Sequence, residues 1–134
     1  MKPFRLAACA LIILVFSPIV FAEEKSPREE VNTAIDEAIR LLSEDNFKVF
    51  IQTFMPPETL KTVTQGKPEA LDEMVRTIAK EKVEPMLKAL KIAKTLKPTL
   101  ENDGKKTVFT FAEPIDGHRS LTLIKIEKYW YIDD

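Results

Sequence analysis

The chain has 134 residues with 20 basic and 21 acidic side chains, and its net charge of −1 does not favour nucleic acid or an anionic membrane as a partner. One cysteine, Cys9, and one histidine, His118, exclude an internal disulfide and a zinc site built from several Cys or His ligands. The three glycines stand apart at positions 66, 104 and 117, which excludes a glycine-rich phosphate-binding loop.

The first 22 residues have the pattern of a secretory signal peptide. Lys2 and Arg5 precede an apolar run at residues 6–22, which is too short and wrongly flanked for a transmembrane anchor. Pro18 interrupts this run shortly before Ala22, a small residue of the kind found at signal-peptidase sites. We therefore expect cleavage after Ala22 and an exported protein, periplasmic or secreted, without membrane contact once the signal is removed.

Residues 23–134 are long enough to bury a core, and we predict that they form one domain. Residues 26–42 predict an amphipathic helix, with Ser26 as N-cap, Pro27 in the first helical position and Glu29 completing a capping box. The apolar residues of this helix recur at helical spacing and are Val31, Ala34, Ile35, Ala38, Leu41 and Leu42.

A short aromatic helix is predicted next. Asp45 is placed to cap it, and Pro56 with Pro57 ends it, because proline lacks an amide donor and restricts the residue before it. One side of this helix carries Phe47, Phe50, Ile51 and Phe54. Residues 57–64 predict one or two further helical turns that end at Gly66.

The longest periodic segment, residues 67–93, carries Pro85 in its middle. Its apolar stripe keeps its phase across this proline, so we predict one helix kinked near residues 81–85 or two nearly collinear helices. The stripe consists of Leu71, Met74, Val75, Ile78, Ala79, Val83, Met86, Leu87 and Leu90.

Six lysines make this region locally basic. Glu81 and Glu84 interrupt them, and the chain as a whole is slightly acidic, which indicates a solvated helix face rather than a nucleic-acid track. The lysines are Lys80, Lys82, Lys88, Lys91, Lys94 and Lys97.

After residue 94 the apolar period changes from about 3.6 to about 2, which predicts an antiparallel meander of four strands. The predicted strands are residues 95–101, 106–113, 119–127 and 128–133. Pro98 places the first strand at a sheet edge, and residues 102–105 form a hairpin turn. Residues 114–118 are predicted as a longer loop, and a tight reversal near Glu127 and Lys128 leads into the last strand.

Both faces of this sheet carry apolar side chains. In the last strand Tyr129 and Tyr131 lie on one face, with Trp130 and Ile132 on the other. One face covers the helices, and a strongly curved sheet, a pocket or a homodimer interface would account for the other. The predicted fold class is α+β, with N-terminal helices packed on a curved four-stranded antiparallel sheet.

The order of elements, the segment "FKVFIQTFMPPE" at residues 47–58 and the closing "YWYID" at residues 129–133 resemble the nuclear transport factor 2-like (ketosteroid-isomerase-like) cone fold. Small exported bacterial proteins of unknown role have the same general pattern, and a cystatin-like helix-on-sheet arrangement is the neighbouring alternative. The resemblance covers most of residues 27–134. It implies a cone-like cavity between helices and sheet, where family enzymes place an acid, a tyrosine or a histidine. No catalytic motif matches here, so no catalytic residue is assigned.

Asp116, His118 and Arg119 cluster in "IDGHRS". A carboxylate and an imidazole two residues apart suit general acid–base chemistry. A solvent-exposed hairpin turn accounts for the same residues and is favoured, because a loop tip lacks the desolvation that tunes a catalytic pKa.

Six aromatic residues are the candidates for ligand binding: Phe47, Phe50, Phe54, Tyr129, Trp130 and Tyr131. The phenylalanines have helical spacing, which favours core first and pocket lining second. The last three suit stacking against a ligand, but strand alternation splits them between two faces and favours core or dimer contact.

We therefore predict an exported, non-catalytic domain without metal or cofactor. It would bind a small apolar or amphipathic molecule or an exported protein, and it could form a homodimer. One alternative is a ketosteroid-isomerase-like lyase or isomerase that uses Asp116 or a pocket tyrosine, which requires a buried carboxylate facing the cavity. The other is an inhibitor or immunity-type protein-interaction module.

Overall fold

The computed structural model of the protein describes residues 26–133. The predicted signal peptide, with Cys9 and the cleavage site after Ala22, lies outside the described residues. Helices come first and a four-stranded antiparallel sheet follows, which confirms the predicted α+β class.

The predicted capping box forms, but it does not open the first long helix. Ser26 Oγ accepts from the Arg28 N–H at 3.2 Å, and Glu29 Oε2 accepts from the Ser26 N–H at 3.1 Å, around a 3₁₀ turn at Pro27–Glu29. Glu30 then has extended backbone, with φ −128° and ψ 146°, and separates this turn from α1 at Val31–Ser43. The prediction of one helix starting behind Ser26 was therefore wrong.

The helices α2 (Phe47–Phe54) and α3 (Pro57–Thr64) end where the prolines and Gly66 predicted. Asp45 does not cap α2, however. It has a left-handed φ of 61° in the turn after α1, and Asn46 precedes α2 without a side-chain capping bond. The capping prediction for Asp45 was therefore wrong.

The long segment after Gly66 is one helical run with a local change of hydrogen bonding. It consists of α4 (Pro68–Thr77), a π turn (Ile78–Lys82) and α5 (Val83–Ala93). In the π turn the Val83 N–H donates to the Ile78 carbonyl, five residues back. Because Pro85 has no N–H to donate, an altered hydrogen-bond pattern directly before it lets the helix continue. The helical run thus continues across Pro85, and its irregular turn lies at Ile78–Lys82, mostly before the predicted kink at residues 81–85.

The strands form a meander in the order β1-β2-β3-β4. They are β1 (Thr99–Glu101), β2 (Lys106–Ile115), β3 (His118–Ile126) and β4 (Tyr129–Ile132). Strand β1 begins at Thr99, after Pro98, so the predicted start at residue 95 was wrong. The edge position of β1 and the reversal at Glu127 and Lys128 are confirmed.

The longer loop predicted at residues 114–118 is wrong. Strand β2 continues through Pro114, and Ile115 pairs with His118 across a two-residue turn. Asp116 and Gly117 have φ of 52° and 83°, the combination that a type I′ hairpin requires. The register between β2 and β3 shifts between Thr110 and Ile115. This shift accommodates Pro114, which has no backbone N–H to donate to the neighbouring strand.

One face of the sheet packs against the helices. Helix α5 lies against β2 and β3, α2 contacts β4, and α1 packs on α2 and α5. The buried side chains of this face are Thr107, Phe109, Phe111, Ile115, Leu121, Leu123 and Trp130. Trp130 is only 6% exposed, while Tyr129 and Tyr131 lie half-buried on the opposite face. The predicted alternation in β4 is confirmed.

Arg28 joins the N-terminal 3₁₀ turn to the last strand. Its Cζ lies 4.6 Å from the ring centroid of Tyr129, 4.7 Å from that of Tyr131 and 5.8 Å from that of Phe54. Its Nε and Nη2 are buried and have no hydrogen-bond partner among the described residues. Within residues 26–133, the faces of these rings therefore provide favourable contacts for this guanidinium.

Thr107 gives a first test of the packing. Its side chain is 1% exposed, and Oγ1 has no hydrogen-bond partner in the described part of the chain. Valine has nearly the same shape without the buried hydroxyl, so Thr107→Val is expected to raise the free energy of unfolding by about 1 kcal/mol in urea denaturation. Thr110→Val, at an exposed position of the same strand, is the matched control with no expected change. A loss of stability in Thr107→Val would contradict the packing.

The Arg28 contacts are tested by a double-mutant cycle with Arg28→Met and Tyr131→Leu. The single substitutions also change desolvation, but the cycle isolates the pair. We expect a favourable coupling energy of about 0.5–1 kcal/mol from urea unfolding. Arg40→Met with Tyr131→Leu is the control, because Arg40 binds Glu37 and Glu44 instead, and it should give no coupling. Equal coupling in both cycles would refute a specific stack.

Candidate functional site

A cavity of about 200 Å³ lies between α5 and the sheet. Pro85, Met86, Ala89 and Leu90 of α5 form one wall. The sheet contributes the opposite wall, which consists of Phe111, Ile115, Leu121 and Ile132. Most of its surface is apolar, so this space suits an apolar group; it is called the first cavity below.

Polar side chains collect at one end of the first cavity. Lys82, Asp116, His118 and Ser120 line that end, and Lys82 Nζ lies 3.5 Å from Asp116 Oδ2. The side chains of this ion pair are 48% and 45% exposed, so solvent screens the pair and its contribution to stability is small.

Two local features of the backbone build this polar end. The π turn places Lys82 directly before α5, and the type I′ turn places Asp116 and His118 at the adjoining tip of the sheet. The ion pair between Lys82 and Asp116 therefore connects the helical run to the β2–β3 hairpin.

A second cavity of about 250 Å³ lies beside the first, between α2, the start of α3 and the π turn. Its residues are Phe50, Ile51, Phe54, Met55, Pro56, Thr59, Ile78, Met86, Ile132 and Asp133. Met86 and Ile132 line both cavities, so these two side chains stand between the two spaces.

The six candidate residues occupy different places. Phe50 and Phe54 line the second cavity, whereas Phe47 is half-buried against the core and lines neither cavity. Trp130 is buried in the core, and Tyr129 with Tyr131 contacts Arg28. The structure therefore brings only two of the six to a cavity described here.

Sequence reasoning did not single out the walls of the first cavity. Met86 and Leu90 belong to the predicted apolar stripe, but a stripe residue that packs and one that lines a cavity are equally apolar. Ala89 is the sequence feature that could have indicated this cavity, because a small side chain beside larger apolar ones leaves room between the helix and the facing sheet.

The acid–base groups of the site are solvent-exposed. Asp116 and His118 belong to the first cavity, and Asp133 belongs to the second; all three are exposed. Neither cavity is lined by a tyrosine or by a buried carboxylate. The arrangement thus offers hydrogen-bond and charge contacts at the ends of apolar spaces.

Residues 26–133, which the structure describes, offer no cluster of metal ligands and no membrane-spanning helix. Within this range no three His, Cys, Asp or Glu side chains come together in a way that could hold a metal ion. None of the helices in the same range is long and apolar enough to cross a bilayer. All six lysines of the basic stretch are exposed, and Lys94 pairs with Asp36.

Comparison of the chain with protein-family models gives no match. Comparisons with curated proteins and with solved structures give no match either. The resemblance to the nuclear transport factor 2-like cone fold therefore stays a prediction.

Proposed function

We propose that the protein is a non-catalytic binding domain that holds a small apolar or amphipathic molecule in the first cavity. The observation that carries this proposal is an apolar space of about 200 Å³ whose polar residues lie together at one end. Sites for small molecules typically combine apolar walls with a few polar groups that fix orientation. The volume is below the roughly 300–1,000 Å³ of most ligand pockets, which favours a small ligand.

The isomerase alternative has less support from the site. It needs a carboxylate whose pKa is raised by burial and which faces the bound molecule. Asp116 is the carboxylate of the first cavity, and it is exposed and paired with Lys82. The contacts of Asp116 therefore favour a role in binding at the cavity mouth.

A protein partner is the second candidate, and the outer face of the sheet supports it. Ile126 is 36% exposed there, beside half-buried Val108 and Ile124 and the two tyrosines of β4. An apolar sheet face of this kind suits contact with another protein, either an exported partner, as in an inhibitor, or a second copy of the chain.

Export is part of the proposal and rests on the sequence pattern of residues 1–22. Intact-mass measurement of the protein isolated from the cells that make it tests this point. We expect the mass of residues 23–134. A mass equal to that of residues 1–134 would reject signal cleavage.

Ligand binding is tested by native mass spectrometry of the same material with an Ala89→Phe variant. We expect the unaltered protein to retain a small molecule and the variant to lose it, because the phenyl ring fills the first cavity. Ala112→Phe is the matched control, since Ala112 is exposed and lines neither cavity. A bare protein in all three samples would reject the small-ligand proposal and favour the protein partner.

A further inference from the structure

The relation between the two cavities indicates the shape of the ligand. Met86 and Ile132 line both, so only these two side chains are shared by the spaces on either side. A molecule that fills the first cavity reaches this partition with its inner end. Beyond Met86 and Ile132 lies the second cavity, with a volume of about 250 Å³.

Met86 is the adjustable part of the partition. Methionine is unbranched and has three rotatable side-chain bonds, so it adapts to irregular spaces, whereas β-branched isoleucine is stiff. Met86 is also half-buried rather than fully enclosed, so its side chain has room to change rotamer. Ile132 is held in β4, where it pairs with Leu123.

The two cavities differ in charge. Lys82, Asp116 and His118 line the first cavity, whereas Asp133, which directly follows Ile132, is the charged residue that lines the second. An ammonium group has three donors, so Lys82 can bind an anion while it keeps its contact with Asp116. An anionic head group is therefore favoured on the side of Lys82 that faces away from Asp116, and it is disfavoured beside Asp133, where no cationic side chain of residues 26–133 lines the second cavity.

We infer that the ligand is a linear amphiphile with a carboxylate head, such as a medium-chain fatty acid. Its head binds Lys82 and His118, and its chain passes Met86 into the second cavity among Phe50, Phe54 and Ile78. This inference rests on the proposed function and adds the length, direction and charge of the bound molecule.

Chain length is the first test. Saturated carboxylates from hexanoate to hexadecanoate are titrated calorimetrically, below their micellar concentrations, into the protein purified from the cells that make it. Each methylene that enters an apolar cavity should tighten binding about fourfold. The rise should continue past the length that fills the first cavity and stop when the second is full.

Two variants test whether the alkyl chain of the ligand passes Met86 and whether it fills the second cavity. Met86→Trp should stop the rise at a shorter chain than in the unaltered protein, because the indole blocks the passage. Thr59→Trp starts from an exposed position of the second cavity, so the fold tolerates it, and it should weaken only the longest chains. Either variant keeps the inference falsifiable if the other fails to fold.

The head group is tested with Lys82→Gln. Loss of the ammonium should weaken decanoate binding about tenfold and decanol binding much less, because a neutral head group loses only a hydrogen bond. Lys80→Gln is the matched control, because Lys80 lies in the same π turn but lines neither cavity, and it should change neither affinity. Equal losses for decanoate and decanol would overturn the assignment of the head group.

The outcomes separate this inference from the proposed function. If the affinity of the carboxylates stops rising at the same chain length in the unaltered protein, in Met86→Trp and in Thr59→Trp, the two-cavity path is wrong. In that case small-ligand binding stands. If neither carboxylates nor alcohols bind at any length and native mass spectrometry also finds a bare protein, both are wrong.

Discussion

The position of Pro85 in the longest helical run is the constraint on which the rest of the structure depends. A proline without an N–H would break a regular helix, and the π turn at Ile78–Lys82 lets the run continue into α5. Beyond it, α5 buries Ala93 in the core, while Pro85, Met86 and Leu90 line the first cavity. The π turn thus allows one continuous helical run, in which α5 packs in the core at its Ala93 end and borders the first cavity at its Pro85 end.

A second irregularity in the sheet completes the site. The type I′ turn at Asp116 and Gly117 ends the long β2–β3 hairpin and brings Asp116 within 3.5 Å of Lys82. Because both side chains are about half exposed, solvent screens their attraction. The polar end of the first cavity is therefore framed by backbone geometry and is not locked by a strong ion pair, which suits entry and release of a ligand.

The fold class was predictable because the apolar period changes from about 3.6 to about 2 near residue 94, a signal that is independent of local detail. Caps and loops were less predictable. Asp45 has a capping residue type but lies in the preceding turn, and Pro114 indicates a strand end although a register shift accommodates it. The cavities were the least predictable, because Met86 and Leu90 differ from core residues only in what faces them across the domain.

Strand β4 connects the site to the beginning of the domain. Ile132 lines both cavities on its inner side, and the neighbouring Tyr131 contacts Arg28 on its outer side. Arg28 lies in the 3₁₀ turn at Pro27–Glu29, so the stack holds this first described turn against a cavity wall. This wall is an edge strand of four residues, and short edge strands open easily unless another element fixes them. Tyr129 and Tyr131 thus support the cavity from outside rather than line it.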